Sequence, residues 1–275
     1  MDKNGNISKV WMDRVQEVVD YAYDNGLYVI LDTHHEDEWL KMNKYDKKTT
    51  AMFKNVWTQI ATRFKNYDER LLFEGMNEPR TKGSENEWTG GTEAERKNVN
   101  RYNKLFVDTV RKTGGNNENR CLIITSYAGT TWDYILESLE IPNNDNKVIV
   151  DVHAYVPWGL SLAMDYEETK FDDNAKSMTD ITMWEINEFL VKKGIPVILG
   201  EFGTGNKNNT SERAAHAKYT VSETKKLGIP CFWWDCGVYD LPGENITCNT
   251  GLIDRKTCKL IFPEIAEALT GKKVK

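Results

Sequence analysis

Short apolar runs that alternate with longer amphipathic stretches limit most strongly how this chain can fold. Runs rich in Val, Ile and Leu recur along the 275 residues, at 27–31, 71–73, 121–124, 148–150, 196–199 and 230–234. Continuous apolar runs of this length are typical of strands buried on both faces of a parallel sheet. Between them, apolar residues repeat at helical spacing, as Val15, Val18 and Val19 do. Further helices are predicted over 53–64, 93–112, 131–139, 180–193, 211–227 and 260–270.

This alternation predicts βαβ units with right-handed crossovers, and therefore an α/β fold. A doubly wound open sheet and a TIM barrel share the pattern, so periodicity alone leaves both open. Nearly every predicted strand is followed by polar or aromatic residues, namely 32–35, 77–78, 126–127, 153–155, 201 and 234–235. Each set alone is explained as satisfied polar groups at a strand end. Six together favour the catalytic face of a TIM (β/α)8 barrel.

Two glutamates stand out among these residues. Glu78 ends an apolar strand as part of an Asn-Glu-Pro sequence, and Glu201 lies in Gly200-Glu201-Phe202-Gly203, where glycines permit close approach of the backbone to a ligand. Hydrolysis of a glycosidic bond with retention needs one protonated and one ionised carboxyl, about 5 Å apart. Two glutamates on different strands of one barrel can supply that pair. Either one alone would be interpreted as an ion-paired structural carboxylate.

Charge and composition favour an uncharged substrate. The net charge of −6 argues against nucleic acid or an anionic membrane as partner and suits a polysaccharide. The nine tryptophans are enough to suggest a role besides core packing, since indole rings stack well on sugar faces, but core packing explains any single one equally well. Four lie on loops after strands and are candidates either for outer sugar subsites or for loop packing: Trp39, Trp88, Trp132 and Trp158.

Several motifs together resemble one known family. In order along the chain they are Asn77-Glu78-Pro79 after an apolar strand, the Glu87-Trp88-Thr89-Gly90-Gly91 loop, His153-x-Tyr155, Gly200-Glu201-Phe202-Gly203 and Trp233-Trp234-Asp235. The sequence is similar to glycoside hydrolase family 5, the cellulase family, and within it to endo-β-1,4-glucanases of anaerobic and rumen bacteria. The similarity runs from about residue 7 to the C-terminus. It implies a TIM barrel and hydrolysis of β-glucan by double displacement.

The resemblance also implies a role for each matching residue. Glu78 resembles the acid/base and Glu201 the nucleophile, both catalytic. Asn77 would hydrogen-bond the 2-hydroxyl of the substrate, and Trp234 would stack under the sugar that is cleaved. The remaining substrate-binding residues would be His34, His35, His153 and Tyr155. No cofactor or metal is expected, because the adjacent histidines in 34–38 would point to opposite faces of a strand and lack a third ligand.

The chain departs from the family pattern in two places. Cys236 stands in Trp234-Asp235-Cys236-Gly237 where many relatives have Asn. Only six strands are predicted, so the barrel is expected to be incomplete, without the first two strands and without the Arg that supports the nucleophile in relatives. We therefore expect one catalytic domain over 1–275, with the open barrel edge covered either by a homodimer or by a rearranged N-terminal segment.

The sequence as a whole predicts a retaining endo-β-1,4-glucanase, or cellulase. Another β-glycanase specificity stays open, for xyloglucan, mixed-linkage glucan, xylan or mannan, as does a catalytically weakened carbohydrate-binding protein. The expected partner is a β-glucan polysaccharide or oligosaccharide, with no nucleic acid and no membrane. Neither a transmembrane segment nor a signal peptide is recognisable, and secretion is expected only from the polymeric substrate.

Overall fold

The computed structural model describes residues 1–163, 165, 167–242 and 248–274. The strands are β1 (Val29–Asp32), β2 (Leu71–Glu74), β3 (Leu122–Thr125), β4 (Val148–His153), β5 (Val197–Phe202), β6 (Cys231–Trp233), β7 (Ile253–Asp254) and β8 (Lys259–Leu260). The helices are α1 (Lys9–Asp24), α2 (Lys47–Phe64), α3 (Glu93–Arg111), α4 (Asp133–Glu137), α5 (Trp158–Ser161), α6 (Asp173–Phe189), α7 (Thr210–Leu227) and α8 (Pro263–Thr270).

Each of the six predicted apolar runs overlaps one of the strands β1 to β6, and five of those strands extend one to three residues past the run. The helix predicted over 180–193 is wrong in its position, because the helix begins at Asp173 and ends at Phe189. Its true start is set by Asp172, whose side chain accepts a hydrogen bond from the Ala175 N–H at 3.0 Å. The short antiparallel pair of β7 and β8 was not predicted, since two-residue strands leave no periodic signal.

The chain divides into two compact units, an N-terminal unit of residues 1–151 and a C-terminal unit of residues 152–275. The single domain expected over 1–275 stays a prediction. In the N-terminal unit, β1, β2, β3 and the first residues of β4 pair in parallel and in sequence order. Parallel pairs in sequence order are the product of the βαβ units that the sequence predicts.

The core of the N-terminal unit supports the end of β2. Trp57 of α2 is fully buried, and its ring packs against Phe106 with centroids 4.5 Å apart. Its indole N–H donates to the Gly75 carbonyl at 3.1 Å, and the Thr33 hydroxyl donates to the same oxygen at 2.9 Å. A Cβ at Gly75 would lie 2.7 Å from the ring of Phe106, which belongs to α3, so only glycine lets α3 approach this segment so closely. The chain just before Glu78 is therefore held by fixed partners.

Arg120 joins the end of α2 to the start of β2. Its side chain is 2% exposed and donates to four backbone carbonyls, at 64, 67, 68 and 71, as well as to the Asn117 side chain. Burial lowers the pKa of Arg120, although the surrounding oxygens satisfy its donors. A buried charge of this kind is tolerated because Nε, Nη1 and Nη2 of the guanidinium all donate hydrogen bonds.

We expect Arg120→Met to destabilise the protein by about 3 kcal/mol or more, because it leaves several buried carbonyls without a donor. Urea unfolding measures the change. Arg14→Met is the matched control, since Arg14 is exposed on α1 and its ion pair with Glu17 is solvated, so its loss should change the free energy of unfolding far less. Equal losses in the two variants would contradict the role given to Arg120.

The strands β1 and β6 are less buried than the strands between them in the sequence. All four residues of β1 are only half-buried, and Phe232 of β6 is 43% exposed. The apolar face of α1 behaves similarly, because Val19 is buried while Val18 is 48% exposed. Residues of α1 and β1 line an apolar groove of about 410 Å³. The predicted helix is confirmed, but most of its apolar face is not buried.

In the C-terminal unit, β5 and β6 pair in parallel, and the backbone after β4 joins β5 through Ala154 N–H, which donates to the Glu201 carbonyl at 2.9 Å. The helices α7 and α8 pack together over a core that contains Ala217, Leu252 and Ile265. A second cluster places Phe171 against the region of α5 and α6. Strand order follows sequence order in both units.

Candidate active site

The backbone beyond β2 carries Asn77 and Glu78 in a defined position. Gly75 N–H donates to the Ile123 carbonyl at 3.0 Å, and Asn77 N–H donates to the Thr33 carbonyl at 3.1 Å. The segment is therefore hydrogen-bonded to the chain on both sides, as a strand would be, although it lies past the end of β2. Pro79 follows and contributes no N–H. Glu78 is consequently presented by a rigid support, as a catalytic side chain requires.

Asp32, His34 and Asn77 form a connected set. The Nδ1 atom of His34 lies 2.8 Å from the Asp32 carboxylate, and its Nε2 atom lies 3.5 Å from the amide nitrogen of Asn77. In the tautomer that carries its proton on Nδ1, the imidazole donates to Asp32 and accepts from Asn77. Asn77 is 6% exposed, which makes its orientation depend on such contacts. Asp32 was noted in the sequence only as a strand-end residue.

His35 differs from His34 in its surroundings. It is exposed, and its ring meets the His34 ring edge to face with centroids 4.7 Å apart. Both histidines follow β1 rather than lie in it, so the strand alternation assumed for them does not apply. The structure thus brings His34 to Asn77 and leaves His35 open to solvent.

Arg80 was not predicted as a site residue, yet it contacts Glu78 directly. Its Nη1 atom donates to the Glu78 carbonyl at 3.0 Å and lies 3.7 Å from the Glu78 carboxylate. Its other nitrogens reach Glu87 at 3.0 Å and Asp37 at 3.4 Å. An Arg directly after Asn-Glu-Pro was the available signal, but nothing local in the sequence shows what a long side chain will contact.

Glu36 is a second residue that was missed. It is 8% exposed, and among the described residues none donates a hydrogen bond to its Oε2 atom. Burial, followed by the nearby charges of Asp32 and Asp37, raises the pKa of Glu36 from 4.5 to about 8, while His34 acts in the opposite direction. The carboxyl is therefore protonated in the folded protein at neutral pH.

This shift predicts a pH dependence of stability. Because the folded-state pKa of Glu36 is raised, its favourable contribution is complete below about pH 4.5 and is lost as the pH rises to about 8. Glu36→Gln keeps a neutral side chain, so we expect its free energy of unfolding to exceed that of the wild type at pH 9 by on the order of a few kcal/mol, and to match it at pH 4.

Urea unfolding of both proteins at the two pH values measures this difference. Glu38→Gln is the control, because the Glu38 side chain is 78% exposed and has solvent on most sides. A Glu36→Gln advantage of the same size at pH 4 and pH 9 would show that the pKa of Glu36 is not raised in the folded protein.

In the C-terminal unit, Glu201 lies in an irregular part of β5. Leu199 pairs with Cys231 and Phe202 with Trp233, so three steps along β5 match two along β6. A bulge of this kind re-aims a side chain and is common beside active sites. Glu201 is 9% exposed, which places its carboxylate in a largely water-excluded setting.

Two predicted residues meet the Glu201 carboxylate. The Tyr155 hydroxyl donates to its Oε2 atom at 2.7 Å, and the Nδ1 atom of His153 lies 3.7 Å from the same oxygen. The His153 side chain is 4% exposed. A hydrogen bond donated to a carboxylate favours its ionised form, which is the form that a nucleophile needs.

The segment after Glu201 is held from behind by α7. The Thr204 hydroxyl lies 2.6 Å from Nδ1 of His216, and the Arg213 Nε atom donates to the Thr204 carbonyl at 3.0 Å. Complete burial lowers the pKa of His216 to about 4, so this imidazole is neutral. Burial likewise lowers the pKa of Arg213 to about 10. These two residues support the strand end and were not predicted.

Trp234 and the cysteine that departs from the family pattern follow β6. The Trp234 N–H donates to the Phe202 carbonyl at 2.8 Å, and its side chain is half-buried. The Asp235 carboxylate accepts from Gly237 N–H at 2.8 Å and shapes the turn. A hydrogen bond with Cys248 holds the pKa of Cys236 well below its usual range. Cys236 therefore lies in a hydrogen-bonded turn beside the predicted stacking residue.

The tryptophans that were candidates for outer subsites differ in exposure. Trp88 and Trp158 are each 56% exposed and Trp132 is 40% exposed, whereas Trp39 is half-buried. An exposed indole offers a flat apolar face on which a sugar ring can stack, but exposure alone does not mark a subsite, because Trp11 and Trp184 are 61% and 55% exposed as well.

Each unit thus gathers half of the predicted site residues around one glutamate. The family model that describes the cellulases, glycosyl hydrolase family 5, matches residues 1–240. That match covers both glutamates and every other predicted site residue. The chain belongs to glycosyl hydrolase family 5. The resemblance stated from the sequence is therefore confirmed.

A curated family 5 relative, Endoglucanase 1 of Ruminococcus albus, is 46% identical over 258 residues. The alignment covers 94% of this chain and 62% of the relative, so the chain spans less than two thirds of that protein's length.

Solved structures show the same similarity. A broad-specificity endoglucanase of subfamily GH5-4 from Clostridium acetobutylicum superposes with a TM-score of 0.92 at 38% identity, covering 98% of this chain and 81% of that one. XEG5A is a xyloglucan-specific endo-β-1,4-glucanase from a metagenomic library, solved in complex with cellotriose. It superposes with a TM-score of 0.90 at 39% identity, covering 97% of this chain and 78% of that one. With the six parallel strands, this confirms the predicted (β/α)8-type fold, of which the described residues hold six strands. Among those residues, no helix is both long and apolar enough for a membrane span.

Proposed function

We propose that this family 5 chain is a retaining endo-β-1,4-glucanase that acts without metal or cofactor. The observation that carries the proposal is the Glu201 carboxylate, which is nearly buried on a bulged strand and accepts the 2.7 Å hydrogen bond of Tyr155. Further support comes from Glu78, which follows Asn77 on a rigidly held segment in the family's order.

The proposed reaction has two steps. In the first, the Glu201 carboxylate attacks the anomeric carbon while Glu78 transfers its proton to the glycosidic oxygen, so the C–O bond breaks and a glycosyl ester forms. In the second, Glu78 removes a proton from water, which attacks the anomeric carbon and releases Glu201. Two inversions at one carbon give net retention.

The other predicted residues have proposed roles that agree with their surroundings. Asn77, oriented through His34, would bind the 2-hydroxyl, and His35 would contact the sugar from its exposed position. Tyr155 and His153 would hold the Glu201 carboxylate. Trp234 would stack under the sugar that is cleaved.

Specificity within the β-glucans is part of the same proposal. The two solved relatives named above are a broad-specificity endoglucanase and a xyloglucan-specific one, and the latter holds cellotriose. We infer an unbranched β-1,4-glucan as substrate, with xyloglucan as the second candidate. Secretion is also proposed, because a polymer of this size cannot enter a cell. The homodimer stays a prediction.

A substrate panel tests the proposal. Release of reducing sugar is measured on carboxymethylcellulose, mixed-linkage β-glucan, xyloglucan, xylan and mannan. The viscosity of the carboxymethylcellulose solution is followed at the same time. Endo-action predicts a viscosity that falls well before much reducing sugar appears, and proton NMR of the first product should show the β-anomer. An initial α-anomer would exclude retention. Binding to these polymers without any hydrolysis would instead support the carbohydrate-binding alternative.

Tyr155→Phe tests the support of the nucleophile. The variant removes the hydroxyl that donates to the Glu201 carboxylate, so we expect kcat to fall by about tenfold to a hundredfold, as for loss of one bond to a charged group. Tyr134→Phe is the control, because the Tyr134 hydroxyl donates to the Thr89 carbonyl in a solvated loop. An unchanged kcat in Tyr155→Phe would remove this residue from the mechanism.

A further inference from the structure

Arg80 is the most highly connected side chain around Glu78 in the N-terminal unit. It is 16% exposed on its side chain and touches the backbone and carboxylate of Glu78, the carboxylates of Glu87 and Asp37, and the indole of Trp88. The guanidinium carbon lies 4.3 Å from the centre of the Trp88 ring, which is cation–π distance.

The geometry depends on the shape of a guanidinium. Its Nε atom bonds Glu87 at 3.0 Å, while Nη1 donates to the Glu78 carbonyl at 3.0 Å and Nη2 reaches Asp37 at 3.4 Å. One flat group therefore meets three partners along its edge and an indole on its face. A lysine ammonium carries the same charge but cannot make this planar set of contacts.

The contacts also bind the 83–88 loop to Glu78. The second oxygen of the Glu87 carboxylate accepts from Gly83 N–H at 2.7 Å, so Glu87 joins the two ends of the loop while its first oxygen is bonded to Arg80. Trp88, the next residue, keeps one face on Arg80 and remains 56% exposed. The loop indole and the candidate acid are thus placed relative to one another by a single side chain.

We propose that Arg80 is a positioning residue for leaving-group protonation, holding the Glu78 carboxyl in place relative to a leaving glucosyl unit that stacks on Trp88. This inference rests on the proposed function, because it requires Glu78 to be the acid. Misplacement of a proton donor by about 1 Å costs on the order of a hundredfold in rate. The loss should depend on how much the leaving group needs a proton.

Two substrates separate this role from a structural one. Cellotetraose releases a sugar, a poor leaving group that needs the acid, whereas 2,4-dinitrophenyl β-cellobioside releases a phenolate that does not. We expect Arg80→Lys to lower kcat/KM about a hundredfold on cellotetraose and less than about threefold on the dinitrophenyl substrate. Because both values come from one preparation, their ratio does not depend on the fraction of folded protein.

Arg96→Lys is the matched control. Arg96 donates to the carbonyls of Gly90 and Gly91 in the adjoining loop at 3.0 and 2.8 Å and lies over Tyr134. None of these partners is Glu78. For Arg96→Lys, we expect the ratio of kcat/KM on cellotetraose to kcat/KM on the dinitrophenyl substrate to match that of the wild type. If this ratio changed as much as in Arg80→Lys, anchoring of the loop alone would explain both results, and the proposal would be overturned.

Trp88→Ala and Glu78→Gln complete the design. Trp88→Ala should raise KM for cellotetraose and leave kcat nearly unchanged; if Arg80→Lys shows that same split, Arg80 serves only the indole and the inference is wrong. Glu78→Gln should show the largest difference between the losses of kcat/KM on the two substrates. If Glu78→Gln shows this difference and Arg80→Lys does not, the inference about Arg80 fails and the role of Glu78 stands. If Glu78→Gln lowers kcat/KM equally on both substrates, the role proposed for Glu78 fails and the inference with it.

Discussion

Replacing Glu201 by glutamine is expected to lower turnover by several orders of magnitude on every β-glucan proposed as substrate. The amide cannot form the glycosyl ester that the proposed mechanism requires of Glu201, which lies on a bulged strand and accepts from the Tyr155 hydroxyl. The change is nearly isosteric, so the circular dichroism spectrum and urea midpoint should stay close to those of the wild type.

Azide gives this prediction a positive signal. Glu201→Gly leaves a space that a small anion can enter, so sodium azide should restore turnover of 2,4-dinitrophenyl β-cellobioside and yield the α-glycosyl azide, the product of a single inversion. Glu264→Gln is the control, because Glu264 is exposed on α8 and should retain full activity. Near-normal activity in Glu201→Gln, or rescue without inversion, would show that another group is the nucleophile.

Glu78→Gln is the second variant with a large expected effect. On cellotetraose we expect a loss of about 10²- to 10⁴-fold in kcat/KM, the range for removal of a general acid. The wild-type pH profile should be bell-shaped with an optimum on the acidic side, since one carboxyl must be ionised and the other protonated. In Glu78→Gln the alkaline limb should disappear.

The same variant should behave differently in the second step. With 2,4-dinitrophenyl β-cellobioside, kcat/KM should change little while kcat falls, because the glycosyl ester forms without an acid but needs Glu78 as base for its hydrolysis. Azide should then raise kcat and give the β-glycosyl azide. An alkaline limb that persists in Glu78→Gln would assign the titrating acid to another residue.

Much of the fold was predictable because it rests on local signals. Each of the strands β1 to β6 was marked by a run of apolar residues, and α1 includes the apolar repeat that predicted it. The position of α6 was missed, because its start depends on the Asp172 cap rather than on a change in apolar spacing. The candidate glutamates were also predictable, since Asn77-Glu78-Pro79 and Gly200-Glu201-Phe202-Gly203 are contiguous motifs.

The environment of the site was not predictable in the same way. Arg80 finds Asp37 43 positions earlier in the chain, and Arg120 reaches carbonyls about 50 positions away. Glu36 reads in the sequence as one more solvated acid, yet its burial raises its pKa to about 8.

The sequence by itself determined the six strands β1 to β6, most of the longer helices, the family and the two candidate glutamates, because periodicity and contiguous motifs act over a few residues. Only the tertiary structure decided what surrounds those glutamates: the Tyr155 hydroxyl on Glu201, Arg80 at Glu78, and the protonated carboxyl of Glu36. The reason is physical. Burial and charge pairing depend on which distant residues meet, and that is settled when the elements pack.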